Sequence, residues 1–199
     1  MRKIFALFAL LVLCGCTSAE AAPAMYIQPA ELNEEEEAVA KLLGADTDQH
    51  IYDVVLDGTA KKVSVNTYVL EDGAWKLVTG GGGMALKEGV KEGRMAFGFQ
   101  DLRGSLRKAV QFGDDFFASS HEIPEEETEE NLGRTTSFLS NRTEIVYGQE
   151  IPLAIQINTS KNEVVSYFTE YFFHPEEYEK FGYEHVCALT VTFSQEPLS

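Results

Sequence analysis

The chain carries 32 acidic and 16 basic side chains in 199 residues, a net charge of −16. A field of that sign repels nucleic acid and anionic lipid headgroups and favours neutral or cationic partners. Its 44% hydrophobic content suits one ordinary core, yet no stretch reaches the roughly 18 uninterrupted apolar residues that a membrane-spanning helix needs.

Met1-Arg2-Lys3 places two positive charges ahead of the ten-residue apolar run Ile4 to Leu13. This is the order of an export signal, and ten helical residues span only about 15 Å, half of a bilayer's hydrocarbon core. The run ends Leu13-Cys14-Gly15-Cys16-Thr17. It resembles the lipobox of bacterial lipoproteins, with an aliphatic residue at −3, a small one at −1 and an obligatory Cys at +1. Leu13, Gly15 and Cys16 match; Cys14 does not, because Leu13 would then hold the small position. The resemblance implies cleavage before Cys16 and a diacylglycerol on its sulfur, often with a further acyl chain on the amine. Two or more such chains hold a protein stably on a membrane surface.

Residues 1–15 are thus expected to be a signal peptide, leaving 184 residues with 14 basic and 32 acidic side chains, net −18. With Cys14 removed and Cys16 lipidated, Cys187 stands alone, so no intramolecular disulfide is expected. Residues 16–30 are Ala-rich and twice interrupted by proline, which reads as a flexible tether with a reach of about 20 Å. Residues 31–199 are expected to form a single β-rich domain.

Its first element is a helix. Asn33 is a natural N-cap, Glu34 to Glu37 put four carboxylates at the positive end of the dipole, and Gly44 is a stop. Val39, Leu42 and Leu43 supply a short apolar stripe. From His50 onward the period becomes two. Val63, Val65, Thr67 and Val69 alternate with polar neighbours, and Glu71-Asp72-Gly73 turns the chain into Trp75-Lys76-Leu77-Val78, a hairpin pattern. The run Gly80 to Gly83 lacks the Lys-Ser/Thr pair of a phosphate loop and reads as an inter-strand loop. Met95, Phe97 and Phe99 share a face, as do Leu106, Val110 and Phe112. The stretch His121 to Glu130 reads as an acidic loop lacking calcium-loop spacing. Ile151, Leu153, Ile155 and Ile157 alternate, Pro175 opens a short helix near 175–181 that Gly182 ends, and Cys187, Leu189, Val191 and Phe193 share the final strand's face.

This pattern predicts a mainly β fold of eight to ten short strands, an antiparallel β-sandwich or partly open barrel with one N-terminal helix and a short helix near 175–181. Beyond the leader, Ile151-Pro152-Leu153 and Tyr183-Glu184-His185-Val186 through Phe193-Ser194 resemble uncharacterised bacterial lipoprotein domains. That resemblance implies an address and no activity.

Candidate sites lie toward the C-terminus. Eight aromatic rings fall between Tyr167 and Tyr183; among them Tyr171, Tyr178 and Tyr183, beside carboxylates, suit a platform for a sugar ring or a partner protein. His174, Glu177 and His185 carry metal-ligand chemistry, with Glu177 one helical turn from His174, although no His-Glu-x-x-His helix is present. Cys187 on an apolar strand face reads as an inert thiol. No catalytic constellation and no cofactor motif emerges. The expectation is therefore an extracytoplasmic, lipid-anchored binding module on the cell membrane, meeting a glycan or an envelope protein. The alternative is a metal-dependent hydrolase or metal-binding lipoprotein.

Overall fold

The computed structural model describes residues 25–42, 49–79, 82–122, 132–165 and 167–198. The leader, Cys16, Leu43, Gly44, Gly80, Gly81 and the glutamates after Glu122 in the acidic stretch lie outside the described residues. The described residues form twelve strands: β1 (Tyr26–Pro29), β2 (Gln49–Val55), β3 (Lys62–Glu71), β4 (Ala74–Thr79), β5 (Gly83–Ala85), β6 (Glu92–Gly98), β7 (Ser105–Phe112), β8 (Asp115–Glu122), β9 (Gly133–Phe138), β10 (Thr143–Glu144), β11 (Glu150–Thr159) and β12 (His185–Ser194). They build two sheets, ordered β10-β1-β2-β6-β7-β8 and β4-β3-β12-β11-β9, with β5 beside β3. All of these pairings are antiparallel. The architecture is the expected mainly β one: among the described residues, two antiparallel sheets with few helices and no closed barrel.

Period-two alternation explains how the sheets meet. Met95 and Phe97 of β6 and Val110 and Phe112 of β7 face Val63 and Val65 of β3 and Leu189, Val191 and Phe193 of β12, all at most 3% exposed. The hairpin between β3 and β4 turns on Asp72 and Gly73, with φ of +50° and +72°. Positive φ at both central residues matches the right-handed twist of the strands they join.

The predicted alternation along β11 holds only in part. Register slips between Pro152 and Ala154, a β-bulge at Leu153. Ile151 and Leu153 enter the inter-sheet core, whereas Ile155 and Ile157 emerge on the opposite face into a second apolar cluster. One extra residue reverses every later side chain. The second sheet is thereby buried on both faces, which is why nearly every residue of β11 and β12 is buried.

Its outer face is covered by the segment from Val164 to Tyr183, containing a 3-10 helix (Thr169–Phe173) and a short helix α2 (Glu176–Glu179). Pro175 precedes α2 and Gly182, at φ +55°, follows it, as the sequence predicts. The 3-10 turn has no capping signature in the sequence.

Two expectations change. Residues 26–29 were expected to belong to the tether; they form β1 instead, between β2 and β10, with Ile27 fully buried. Small and proline-rich flanks hide a four-residue strand whose pairing is supplied by distant chain. Helix α1 (Glu34–Leu42) is capped as predicted: the Asn33 carboxamide accepts from the N–H groups of Glu35 and Glu36, and Glu36 accepts from the Asn33 N–H, each at 3.0 Å. Its apolar stripe is not buried, however; Val39 is 55% and Leu42 86% exposed. The helix is held instead by Arg94 of β6, which donates to Glu36 at 2.9 Å and to Asp53 at 2.7 Å.

Candidate functional site

Where β10, the start of β11 and the 3-10 helix meet, they leave a cleft of about 160 Å³. Val146, Pro152 and Phe173 give it apolar walls, and Glu144, Glu150 and Glu170 are among its other lining residues. Val146 and Phe173 form an exposed rim. Among the described residues, none of the three glutamates forms an ion pair with Lys, Arg or His.

Glu150 is the anchored member. It sits opposite Thr192 at the outer end of β11, and its side chain reaches across β12 to β3. There one carboxylate oxygen accepts from the Tyr68 hydroxyl at 2.6 Å and from the Asn66 carboxamide at 3.1 Å. The second oxygen is buried and has no donor among the described residues. The hydroxyl of Thr190 is buried without a partner as well. Thr190 lies on the strand that Glu150 crosses, between Asn66 and Pro152. Such unpaired groups are few in folded proteins, and two in one place mark this patch of the second sheet as unusual. Burial, then the Glu150 hydrogen bond, pushes the Tyr68 phenol up to about 12, so it remains a donor.

The covering segment roofs this patch. The Trp75 indole N–H donates to the Phe172 carbonyl at 2.7 Å, and its ring stacks on Phe172 at 5.1 Å. Tyr68 lies against Phe172 from below, 5.7 Å between centroids. The roof is therefore fixed by an aromatic stack and one hydrogen bond.

The three tyrosines singled out in the sequence fall in different environments. Tyr178 is 1% exposed, packed against Trp75 and Tyr167; it is a core ring, and burial pushes its phenol up. Tyr171 stacks on Tyr167 at 4.3 Å, and Tyr183 stacks on Phe181 at 5.5 Å while accepting from the Val165 N–H. Both are half-buried. The exposed rings of the segment are Phe168 and Phe173, at 73% and 58%.

The metal candidates are not brought together. His174 faces Glu176 at 3.4 Å, and Glu177 is engaged by Lys180. His185 opens β12 on the face of Cys187, toward the inter-sheet core, while the covering segment packs on the opposite face with Val186. The described residues contain no group of three His, Cys, Asp or Glu arranged for a metal ion. Cys187 is 3% exposed, and burial pushes its thiol up to about 12, so it is not a poised nucleophile.

Sequence reasoning missed Glu150. No local pattern marks it, since its partners Asn66 and Tyr68 are 84 and 82 residues away. The one available signal was a carboxylate immediately before the apolar run of β11. A larger and shallower depression, of about 390 Å³, lies over the first sheet. Its lining combines small residues such as Ala96, Ala109 and Ala118 with the polar residues Arg107, Lys108, Ser119 and Ser120.

Fold and cleft together define a three-layer β-sandwich carrying a small acidic cleft beneath an aromatic roof. No family model, curated protein or solved structure matches the chain. No helix among the described residues is long and apolar enough to cross a membrane.

Proposed function

We propose that this chain is a lipid-anchored extracytoplasmic protein whose β-sandwich serves as a binding module, with the cleft beside Glu150 as its contact site. Anchoring rests on the leader and on Leu13-Cys14-Gly15-Cys16, which place an acylated cysteine ahead of the domain. Ile27 of β1 lies only eleven residues after Cys16, so the sandwich sits close to the bilayer surface.

The observation that carries the binding reading is the cleft itself: three glutamates without ion-pair partners among the described residues line it beside an exposed apolar rim. A folded domain loses stability by concentrating like charge, so such a grouping is better suited to meeting a partner than to holding the fold. The partner is an envelope protein or a glycan. The histidines and glutamate of the metal-hydrolase alternative lie on opposite faces of the second sheet, so no observation favours that reading.

Fractionation of cells expressing the chain and a Cys16→Ser variant tests the anchor. The unaltered protein is expected in the membrane fraction and the variant in the soluble extracytoplasmic fraction. Identical distribution of the two would refute anchoring through Cys16. Photo-cross-linking from position 173 in native membranes tests the contact site, with a discrete adduct expected and a ladder of random adducts opposing it.

A further inference from the structure

Both sheets end on one side of the sandwich, away from the acidic cleft's strands, and the edge they leave there is apolar. We propose that a second copy of this chain docks on that edge, β8 pairing antiparallel with its counterpart about a two-fold axis through Ala118.

Topology defines the edge. Strand β8 closes the order of the first sheet, and β4 and β5 flank β3 on the side away from β12. Gly82, between β4 and β5, lies against the other sheet: a Cβ there would come within 2.7 Å of the Lys108 ammonium and 3.9 Å of the Phe117 ring. The two open edges are therefore neighbours. An open edge presents unpaired N–H and C=O groups to any extended chain, and proteins usually blunt it by shortening, a bulge, proline or charge. Strand β8 is eight residues long, pairs with β7 without a register shift, and carries neither proline nor lysine. Among the described residues, no strand pairs with its other side.

Apolar exposure follows the same edge. Eleven large hydrophobic side chains are exposed among the described residues, and five of them gather here: Leu77 and Val78 of β4, Phe116 and Phe117 of β8, and Leu198 beside Gly83. Phe116 faces outward at 67% exposure, and Phe117, although on the inner face beside Val110, is 36% exposed. A grouping of this kind marks a contact surface rather than a solvated one.

Self-complementarity selects a second copy over an unrelated strand. With the axis through Ala118, Phe116 falls opposite Ser120 of the second copy and Phe117 opposite Ser119, so each ring meets a small side chain. The axis repeats both matches. Charge agrees, since a chain of net −16 repels its own copies over most of its surface. From Phe116 to Ser120 the strand is uncharged, and Asp115 is already paired with Lys87 at 2.6 Å. The contact closes at two copies, because each β8 is used once and the far end of the first sheet is β10, only two residues long.

The test uses the full-length chain in density-matched detergent, with micelles in large excess so that chance sharing does not mimic association. Sedimentation equilibrium should show a concentration-dependent monomer–dimer transition. Ala118 is exposed, and Ala118→Lys sets two ammonium groups opposite one another; it should raise the dimer dissociation constant about fivefold or more. Disulfide trapping reads the register independently. Facing Cα atoms of an antiparallel pair lie about 4.5–5.5 Å apart, so Ala118→Cys should give a linked dimer under mild oxidation. Phe116→Cys should not, because its two copies would lie about 13 Å apart along the strands. The unaltered chain supplies the baseline for its own cysteines. Undiminished dimerisation of Ala118→Lys, linkage at 116 as efficient as at 118, or an open series of larger assemblies would overturn the proposal. A monomer at every concentration would overturn it too, and would leave the edge to a strand from another protein.

Discussion

Glu184, just ahead of β12, accepts hydrogen bonds from the Ser160 hydroxyl and from the Ser160 N–H at 3.2 Å. These bonds, the hydroxyl first, hold its carboxyl at about 2, below the ordinary 4.5. A carboxyl depressed in the folded state stabilises the fold above its unfolded pKa, and that stabilisation is lost as pH falls through the folded value. Thermal unfolding should therefore show a loss of stability between about pH 4.5 and pH 2, to which Glu36, Asp57 and Asp101 also contribute and which Glu184→Gln makes shallower; an unchanged acid limb in the variant would contradict this. Cys187 gives a second residue-scale prediction. Its buried thiol should react with a disulfide reagent only as fast as the protein opens, and Cys187→Ser should cost about 1–3 kcal/mol by burying a hydroxyl. Rapid labelling under native conditions would count against the inert reading. The apolar surroundings of Cys187 were readable from the alternation of its strand, whereas the donors around Glu184, more than twenty residues away in the chain, were not.

Among the elements, the β3–β4 hairpin was the most legible, because Asp72-Gly73 between alternating runs carries its turn geometry in its composition. Gly73 also lies against α2: a Cβ there would come within 2.6 Å of the Glu179 carboxylate. Gly73→Ala should therefore destabilise the fold by about 1–3 kcal/mol in denaturant titrations, through backbone strain at φ +72° plus that contact. A loss below a few tenths would mean that the turn adopts another shape. The alternation of β6, β7 and β12 was equally readable, since each strand keeps one face to one core. Strand β11 was not, for a bulge depends on how neighbouring strands pair and has no residue signature at Leu153. The exposed stripe of α1 makes the same point: amphipathic spacing indicates which face is apolar, not whether anything covers it. Lys108 adds a case in which pattern and burial disagree. It faces inward between Leu106 and Val110, burial lowers its pKa, and its ammonium lies 2.7 Å from where a Cβ on Gly82 would be.

Over the whole molecule, the second sheet is sandwiched between the first sheet and the covering segment, and the acidic cleft opens where all three layers meet. Its carboxylates come from β10, β11 and the 3-10 helix, segments that the sequence keeps apart, so the cleft had no linear signature. The aromatic stretch did point toward the region, through Phe173 and the roof residue Phe172; of its three singled-out tyrosines, Tyr178 is a core ring while Tyr171 and Tyr183 are half-buried. The leader is read from residue order alone and lies outside the described residues. The central claim is that this sandwich is presented from a membrane by an acylated Cys16. Intact mass spectrometry of the protein extracted from native membranes tests it most directly. The account predicts a chain beginning at Cys16 and heavier than residues 16–199 by a diacylglycerol, with or without one further acyl chain. An unmodified Cys16, or a chain that still retains residues 1–15, would contradict it.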